Sequence, residues 1–409
     1  MKRPPYRKLL VVFIVLSVVV LFFHWRYTRT FNIFDIGPLF EYPVSTDQIP
    51  EVFESLSAKE CGKCHQEFYQ EWITTIHSQS WTDPYFQSDW KFDGSRQICK
   101  NCHTPLDKQQ EHKVLGYSDS KKWDPILEPN PDFDTELQHE GVTCNACHLR
   151  EGKIRGVYGV TNAPHPIEKI EDPNIICMQC HLAENTQWDV FYTMPPCSTV
   201  AEIKITMDHQ IQVAKEKGIS GEIIVPDEDS LKCVNCHMPL VERPLVEGGE
   251  IRKTRRHLWR GGHDKDMVKN ALEVTFIETS GRRDKDRIFD VTLTNVGAAH
   301  YLPTGSPGRH LSVDFNLLDS DGDLIDSDQG LIIRKTIWQP FIFDLSDNRL
   351  MRWKPETFRF SVERNDMRNP VMVEVIVKYH LLEDEWRKLI GYENKKPIFH
   401  ELYRKKIEL

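Results

Sequence analysis

The sequence predicts a multi-domain chain: an N-terminal transmembrane helix, a mainly α and loop middle region, and a C-terminal all-β sandwich. Three observations carry that expectation. A basic group, Lys2, Arg3, Arg7 and Lys8, precedes an apolar run from Leu9 to Phe23 that only Ser17 interrupts. Five copies of Cys-x-x-Cys-His lie between residues 61 and 237, where strand patterns are sparse. Beyond Met267 there is no cysteine, and six stretches alternate or run apolar with β-branched and aromatic residues.

The N-terminal element follows from charge and length. The basic residues should stay in the cytoplasm while the rest of the chain crosses. Trp25 and Tyr27, with Arg26 between them, look like an interfacial belt, and no small-x-small cleavage site follows the run. Residues 1–29 are therefore expected to form an uncleaved single-pass anchor in the inner membrane, with the rest in the periplasm or another extracytoplasmic space. A removed signal peptide, leaving a secreted periplasmic protein, is the alternative. Residues 30–57 carry Pro38, Pro43 and Pro50 without clear periodicity and read as a linker. The formal net charge of −9 argues against a nucleic-acid partner.

The five motifs dominate the middle of the chain. In order they are Cys61–Cys64–His65, Cys99–Cys102–His103, Cys144–Cys147–His148, Cys177–Cys180–His181 and Cys233–Cys236–His237, and they use ten of the eleven cysteines. Two thiols three residues apart share one side of a helical turn, where they can reach the two vinyl groups of one porphyrin. The histidine that follows lies under the ring and can ligate its iron. Zinc knuckles would not need a histidine after every pair, thioredoxin-like sites do not come in fives, and a three-residue disulfide is a poor staple for a long chain. Five covalent c-type haems are expected, on the ten motif cysteines, with the five motif histidines as proximal iron ligands. Such attachment takes place outside the cytoplasm, in agreement with the expected anchor.

This region is taken as residues 58–266. The motif starts are 38, 45, 33 and 56 residues apart, so no strict repeat exists. Its one long helix is expected from Thr199 to a stop at Gly218. With so many rigid porphyrins inside, the region should depend on them for stability, and the haem-free chain should be largely unfolded.

Whether the irons are six-coordinate depends on the other histidines. Glu71-Trp-Ile-Thr-Thr-Ile-His77 follows the first motif, Gly141-Val-Thr precedes the third, and Met238-Pro239 follows the fifth. Together these resemble the cytochrome c-554-type multihaem cytochromes, relatives of the hydroxylamine oxidoreductases. The resemblance implies a distal ligand role for His77. It extends to Pro164-His165-Pro166, to His257-Leu-Trp-Arg-Gly-Gly-His263, and to Asn295-Val-Gly-Ala-Ala-His300, a segment similar to one found where a β-sandwich follows such a haem domain. His165, His257, His263 and His300 are thus further distal candidates, and His139 is another because it lies just before a motif. The chain departs from tetrahaem members in its fifth motif and C-terminal region, and from the octahaem oxidoreductases in its haem number. His24 falls in the membrane run, and His112, His209, His310, His380 and His400 read as ordinary. Met194 is an alternative ligand, and Cys197 is the unpaired thiol.

Residues 267–409 are expected to form the sandwich, with strands at Ala271–Glu278, Arg287–Asn295, Leu311–Leu318, Leu331–Trp338, Thr357–Val362 and Val371–Tyr379. Asp319-Ser-Asp-Gly-Asp323 has calcium-like carboxylates but no closing Glu, and reads as a hairpin turn.

Two classes of function remain open. The first is an electron relay between a membrane partner, such as a quinone oxidoreductase, and other redox proteins. The second is an oxidoreductase for a small nitrogen or sulfur compound at one open-coordinate haem, with Arg255, Arg256 and Arg260 near His257 as a basic site. The number of distal candidates favours the relay. Chains could also assemble through haem stacking or the β-sandwich.

Overall fold

Each motif closes on a short helical turn. The helices Cys144–His148 and Cys233–His237 consist of the motif alone, while Gln97–His103 and Asn174–His181 end on its histidine. Ala58–Gly62 carries Cys61, and the His65 amide donates to the Cys61 carbonyl at 2.9 Å, completing the turn. After each of the first four helices the backbone leaves helical geometry at once, so the histidine sits at an exit. The computed structural model describes residues 5–28, 36–120, 122–159, 162–182, 199–216, 232–279, 287–337, 343–362, 372–395 and 397–409.

Two expectations are corrected. The N-terminal run does form a helix, Pro5–Thr28. Among the described residues, however, no helix is long and apolar enough to cross a membrane. The apolar stretch Leu9 to Phe23, interrupted at Ser17, rises only about 22 Å, against a hydrocarbon core of about 30 Å. The single-pass inner-membrane placement falls with it. Nor is the motif region mainly α and loop. Among the described residues it contains seven short strands: β1 (His112–Tyr117), β2 (Pro125–Pro129), β3 (Leu149–Arg150), β4 (Lys153–Gly156), β5 (Ile167–Lys169), β6 (Leu240–Pro244) and β7 (Ile251–Arg255). They pair as β1–β2, β3–β4–β5 and β6–β7. Strands β3 and β5 are only two and three residues long, and the other five, four to six residues each, mix charged, apolar and proline residues without the alternation that makes strands visible in a sequence.

The segment read as a linker packs against this region. The Val44 amide donates to the Pro105 carbonyl at 2.7 Å, and the Asp107 amide returns a bond to the Val44 carbonyl at 3.0 Å. Val44 and Leu56 join Leu106, Leu137, Ala146 and Leu149 in a small apolar cluster.

Beyond the helix Lys265–Ala271 come β8 (Leu272–Glu278), β9 (Arg287–Asn295), β10 (His310–Leu318), β11 (Leu324–Ile337), β12 (Phe343–Asp347), β13 (Glu356–Val362), β14 (Met372–His380) and β15 (Phe399–Glu408). They make two antiparallel sheets, ordered β12-β11-β10-β14-β15 and β13-β9-β8. Inward positions recur every second residue: Phe289, Val291 and Leu293 on β9, Leu311, Val313, Phe315 and Leu317 on β10, and Val373, Val375 and Val377 on β14. Both sheets feed this one cluster. Gly330 on β11 marks a close approach between them, since a Cβ there would lie 2.3 Å from the Phe358 ring on β13. The Asp319–Asp323 loop is the β10–β11 turn, with the Asp319 amide donating to the Asp323 carbonyl at 3.0 Å. Strands β12 and β15 had no clear sequence signal. Both lie at sheet edges, where Arg404, Lys405 and Lys406 interrupt the apolar pattern of β15.

Candidate haem centres

All ten motif cysteines and all five motif histidines border one continuous cavity of about 2640 Å³. A pocket for one drug-sized ligand has roughly 300–1,000 Å³, so the space suits several large groups. Residues from both halves of the chain line it, including Tyr379 on β14 and His400 on β15.

Four motif imidazoles are oriented in the same way. Nδ1 of His65 faces the Leu245 carbonyl at 2.8 Å, and that of His103 the Ser80 carbonyl at 2.8 Å. Nδ1 of His148 faces the Arg155 carbonyl and that of His237 the Arg260 carbonyl, both at 2.6 Å. A ring nitrogen against a carbonyl must carry the proton, which leaves Nε2 with a free lone pair for a metal.

Three further histidines stand opposite motif histidines. Ring centroids are 6.0 Å apart for His148–His257, 6.3 Å for His237–His300 and 6.4 Å for His77–His181. Two metal–nitrogen bonds of about 2.0 Å, plus about 1.2 Å from each nitrogen to its ring centre, give about 6.4 Å for two imidazoles on one metal. The donor set and its spacing therefore fit a haem iron held between each pair. His257 and His300 use the same device, with Nδ1 on the Arg255 carbonyl at 3.0 Å and on the Tyr301 carbonyl at 2.8 Å.

Burial is the leading cause that pushes His77 down to about 3, and His103, His257, His263 and His300 down to about 4. Buried imidazoles are kept neutral, the form that binds metal.

The remaining candidates divide. His165 and His263 border the cavity. Burial pushes His165 down, and the nearby His65 adds to this, while His263 Nε2 is 3.5 Å from Arg309 Nη2. His139 is exposed and away from the cavity lining, with Nδ1 on the Thr135 carbonyl at 2.8 Å within its own helical turn. Met194 and Cys197 lie outside the described residues. His400, read as ordinary, borders the cavity with a buried Nε2 that has no hydrogen-bond partner. No motif surrounds it; only the β14–β15 pairing brings it there.

The three arginines near His257 are committed elsewhere. Arg255 Nη1 donates to the Val234 and Met238 carbonyls at 2.8 and 3.0 Å, and Arg260 reaches the Thr74 carbonyl at 3.2 Å. Arg256 Nε donates to Glu71 Oε1 at 2.8 Å. Glu71 is the hub that the sequence reading overlooked. Its two oxygens also accept from Arg243 Nη1 and Nη2, each at 2.8 Å, and Oε2 accepts from the His257 amide at 2.8 Å. Arg243 in turn lies over the Phe68 ring, 4.1 Å from its centroid, and that ring meets His257 edge-on at 5.0 Å. The clamp thus sets the position of His257 beside His148.

Gly141 has a similar positioning role for His77. Its φ is +63°, and an added Cβ would lie 2.4 Å from Ser80 Oγ and 2.8 Å from the His77 carbonyl oxygen. The next amide, Val142, donates to that carbonyl at 3.0 Å. Gly141→Ala is expected to cost about 1–3 kcal/mol. It should also disturb the turn that holds His77 and the Ser80 carbonyl on His103. Denaturant midpoints of the two holoproteins check the cost, and an unchanged midpoint contradicts it.

Motif helices around a shared cavity, with imidazoles paired at iron-bridging spacing, are the features of a multihaem c-type cytochrome. The chain is similar to the cytochrome c-type protein NrfB of Escherichia coli, being 24% identical over 151 residues, or 34% of this chain. It spans 63% of that curated relative's length. In fold it resembles the penta-haem cytochrome c552 from Thermochromatium tepidum, with a TM-score of 0.59 at 16% identity, over 87% of this chain and 99% of the other. No protein-family model matches the chain.

Proposed function

We propose that this chain is a pentahaem c-type cytochrome that relays electrons between redox partner proteins. The observation that carries the reading is the placement of all five Cys-x-x-Cys-His motifs on one cavity, with three of their histidines facing a second imidazole at 6.0–6.4 Å. In this reading His65, His103, His148, His181 and His237 are the proximal ligands. His77 is distal to the His181 haem, His257 to the His148 haem and His300 to the His237 haem. His165 and His263 serve the two that remain.

Bound haem supplies the one-electron Fe(III)/Fe(II) couple. The chain's residues hold that couple in a fixed setting. The three imidazole pairs would hold their irons between them, which would leave no place for a substrate there and would give lower potentials than His/Met ligation. The Nδ1–carbonyl bonds keep each ring in one tautomer and one orientation, so ligation is the same in both oxidation states. Burial of His77, His257 and His300 would keep water from the irons they hold.

The test is spectroscopic. Intact-mass measurement should give five covalent haems. Electron paramagnetic resonance should show low-spin ferric signals for the three paired irons. His257→Ala should convert one haem to a high-spin form that binds carbon monoxide when reduced, with the haem count unchanged. If the unaltered protein already binds carbon monoxide at those three haems, the relay reading fails.

A further inference from the structure

The five motifs meet in an order different from their order in the chain. The Cys61 and Cys144 thiols, from the first and third motifs, lie near one another. So do Cys102 and Cys180, from the second and fourth, and Cys177 and Cys233, from the fourth and fifth. Cys147 of the third motif lies near both Cys177 and Cys180.

Contacts between other groups give the same neighbours. The helix Ala58–Gly62 packs on Cys144–His148, and Asn174–His181 packs on both Gln97–His103 and Cys233–His237. Arg150, just after the third motif, donates from Nη2 to Gln179 Oε1 inside the fourth at 2.8 Å. The Val234 amide of the fifth donates to Asn174 Oδ1, on the helix of the fourth, at 3.4 Å.

Attachment adds each cysteine S–H across a porphyrin vinyl group: sulfur bonds one carbon and the proton goes to the other, with no external oxidant. Each motif sulfur therefore marks the edge of its own haem. Where sulfurs of two motifs touch, two porphyrin edges meet, and electron tunnelling, which decays steeply with edge separation, runs between them.

Resting on the pentahaem reading, we propose that the relay is branched, with the fourth-motif haem, on Cys177 and Cys180, as its junction. From that haem one arm runs through the third-motif haem to the first. A second arm ends at the fifth-motif haem and a third at the second-motif haem. A single file numbered along the chain would place the first and second motifs together, and none of the contacts above joins them. The branched arrangement has three ends at which a partner can exchange electrons, where a single file has two. It also makes the His77–His181 pair the point through which every end-to-end path passes.

Anomalous diffraction at the iron edge from crystals of the full-length holoprotein tests this directly. Five iron peaks are expected, each assigned by its Cys-x-x-Cys-His. The His181 iron should have three close iron neighbours and the His148 iron two. The irons on His65, His103 and His237 should have one each. A single file, or a junction at any other iron, overturns the branch. Fewer than five iron peaks overturns the pentahaem reading itself, so the two failures are distinct. In solution, His77→Met should raise the potential of the junction haem. A haem-resolved redox titration should then show three other haems shifting with it, and the first-motif haem least affected. Shifts confined to two neighbours contradict the branch, and the unaltered protein's iron positions decide the matter if the variant does not fold.

Discussion

Replacing the ten motif cysteines with alanine is expected to abolish ordered structure across residues 58–266 and to leave residues 272–409 folded. The two halves differ in what fills them. The C-terminal sheets share a continuous cluster of fully buried side chains, among them Phe289, Val291, Leu293, Leu311, Val313, Ile332, Val373, Val375 and Val377. The motif region has a cluster of only six, Val44, Leu56, Leu106, Leu137, Ala146 and Leu149, beside a cavity of about 2640 Å³. Kept dry and empty, a volume of that size would cost on the order of 60 kcal/mol at ~24 cal/mol per Å³. Flooded, it would wet the apolar side chains that line it. The dry cost alone exceeds the ~5–15 kcal/mol by which a domain is stable. Hydrogen exchange should therefore show free exchange in the motif helices and protection in β9, β10 and β14. Native-like protection of Gln97–His103 and Asn174–His181 in the haem-free chain would contradict this account.

Glu71→Ala is expected to cost about 3 kcal/mol, because it takes both 2.8 Å carboxylate bonds from a buried guanidinium and leaves it the longer contacts to Glu67 at 3.2 Å and Thr254 at 3.3 Å. Arg243 and Glu71 side chains are 7% and 8% exposed, so water cannot replace the missing carboxylate. Burial alone would push the Glu71 carboxyl up. The bonds from Arg243, the His257 amide and Arg256 outweigh it and hold the group at about 2, below its ordinary 4.5. A carboxyl depressed in the folded state stabilises fully above its unfolded value. The Glu71 contribution is thus complete above about pH 4.5 and is lost as pH falls towards 2. Thermal midpoints of the two holoproteins at pH 7 should differ by the full amount, and the gap should close on acidification. A gap that stays constant down to pH 2 would show that the charge is not what matters. Because the same carboxylate holds the His257 amide, the variant should also gain a high-spin signal.

The local chemistry of the site was legible in the sequence. Cys-x-x-Cys-His places two sulfurs and one imidazole on a single helical turn, so attachment needs no information from elsewhere in the chain. The inward alternation of β9, β10 and β14 was legible for a similar reason, since period-two burial is written residue by residue. His77, His257 and His300 were recognisable as candidates from their flanking residues, but not which motif histidine each would face. His77 follows the first motif and stands opposite the fourth. His139 sits next to a motif and turns away from the cavity, while His400, at the other end of the chain, borders it.

Hydrophobicity and proline content misled at the N-terminus. The Leu9–Phe23 run is apolar but short, and the proline-bearing segment after it packs on Leu106. The Glu71–Arg243 pair spans 172 positions, and no pattern in either segment announces the other.

By itself, the sequence determined how many Cys-x-x-Cys-His turns the chain carries and which residues form them, because that spacing is a property of one helical turn. Only the tertiary structure decided which imidazoles face one another, which motifs touch, and which carboxylate holds the guanidinium behind His257. Those relations depend on distances between segments far apart in the chain, and packing alone fixes such distances.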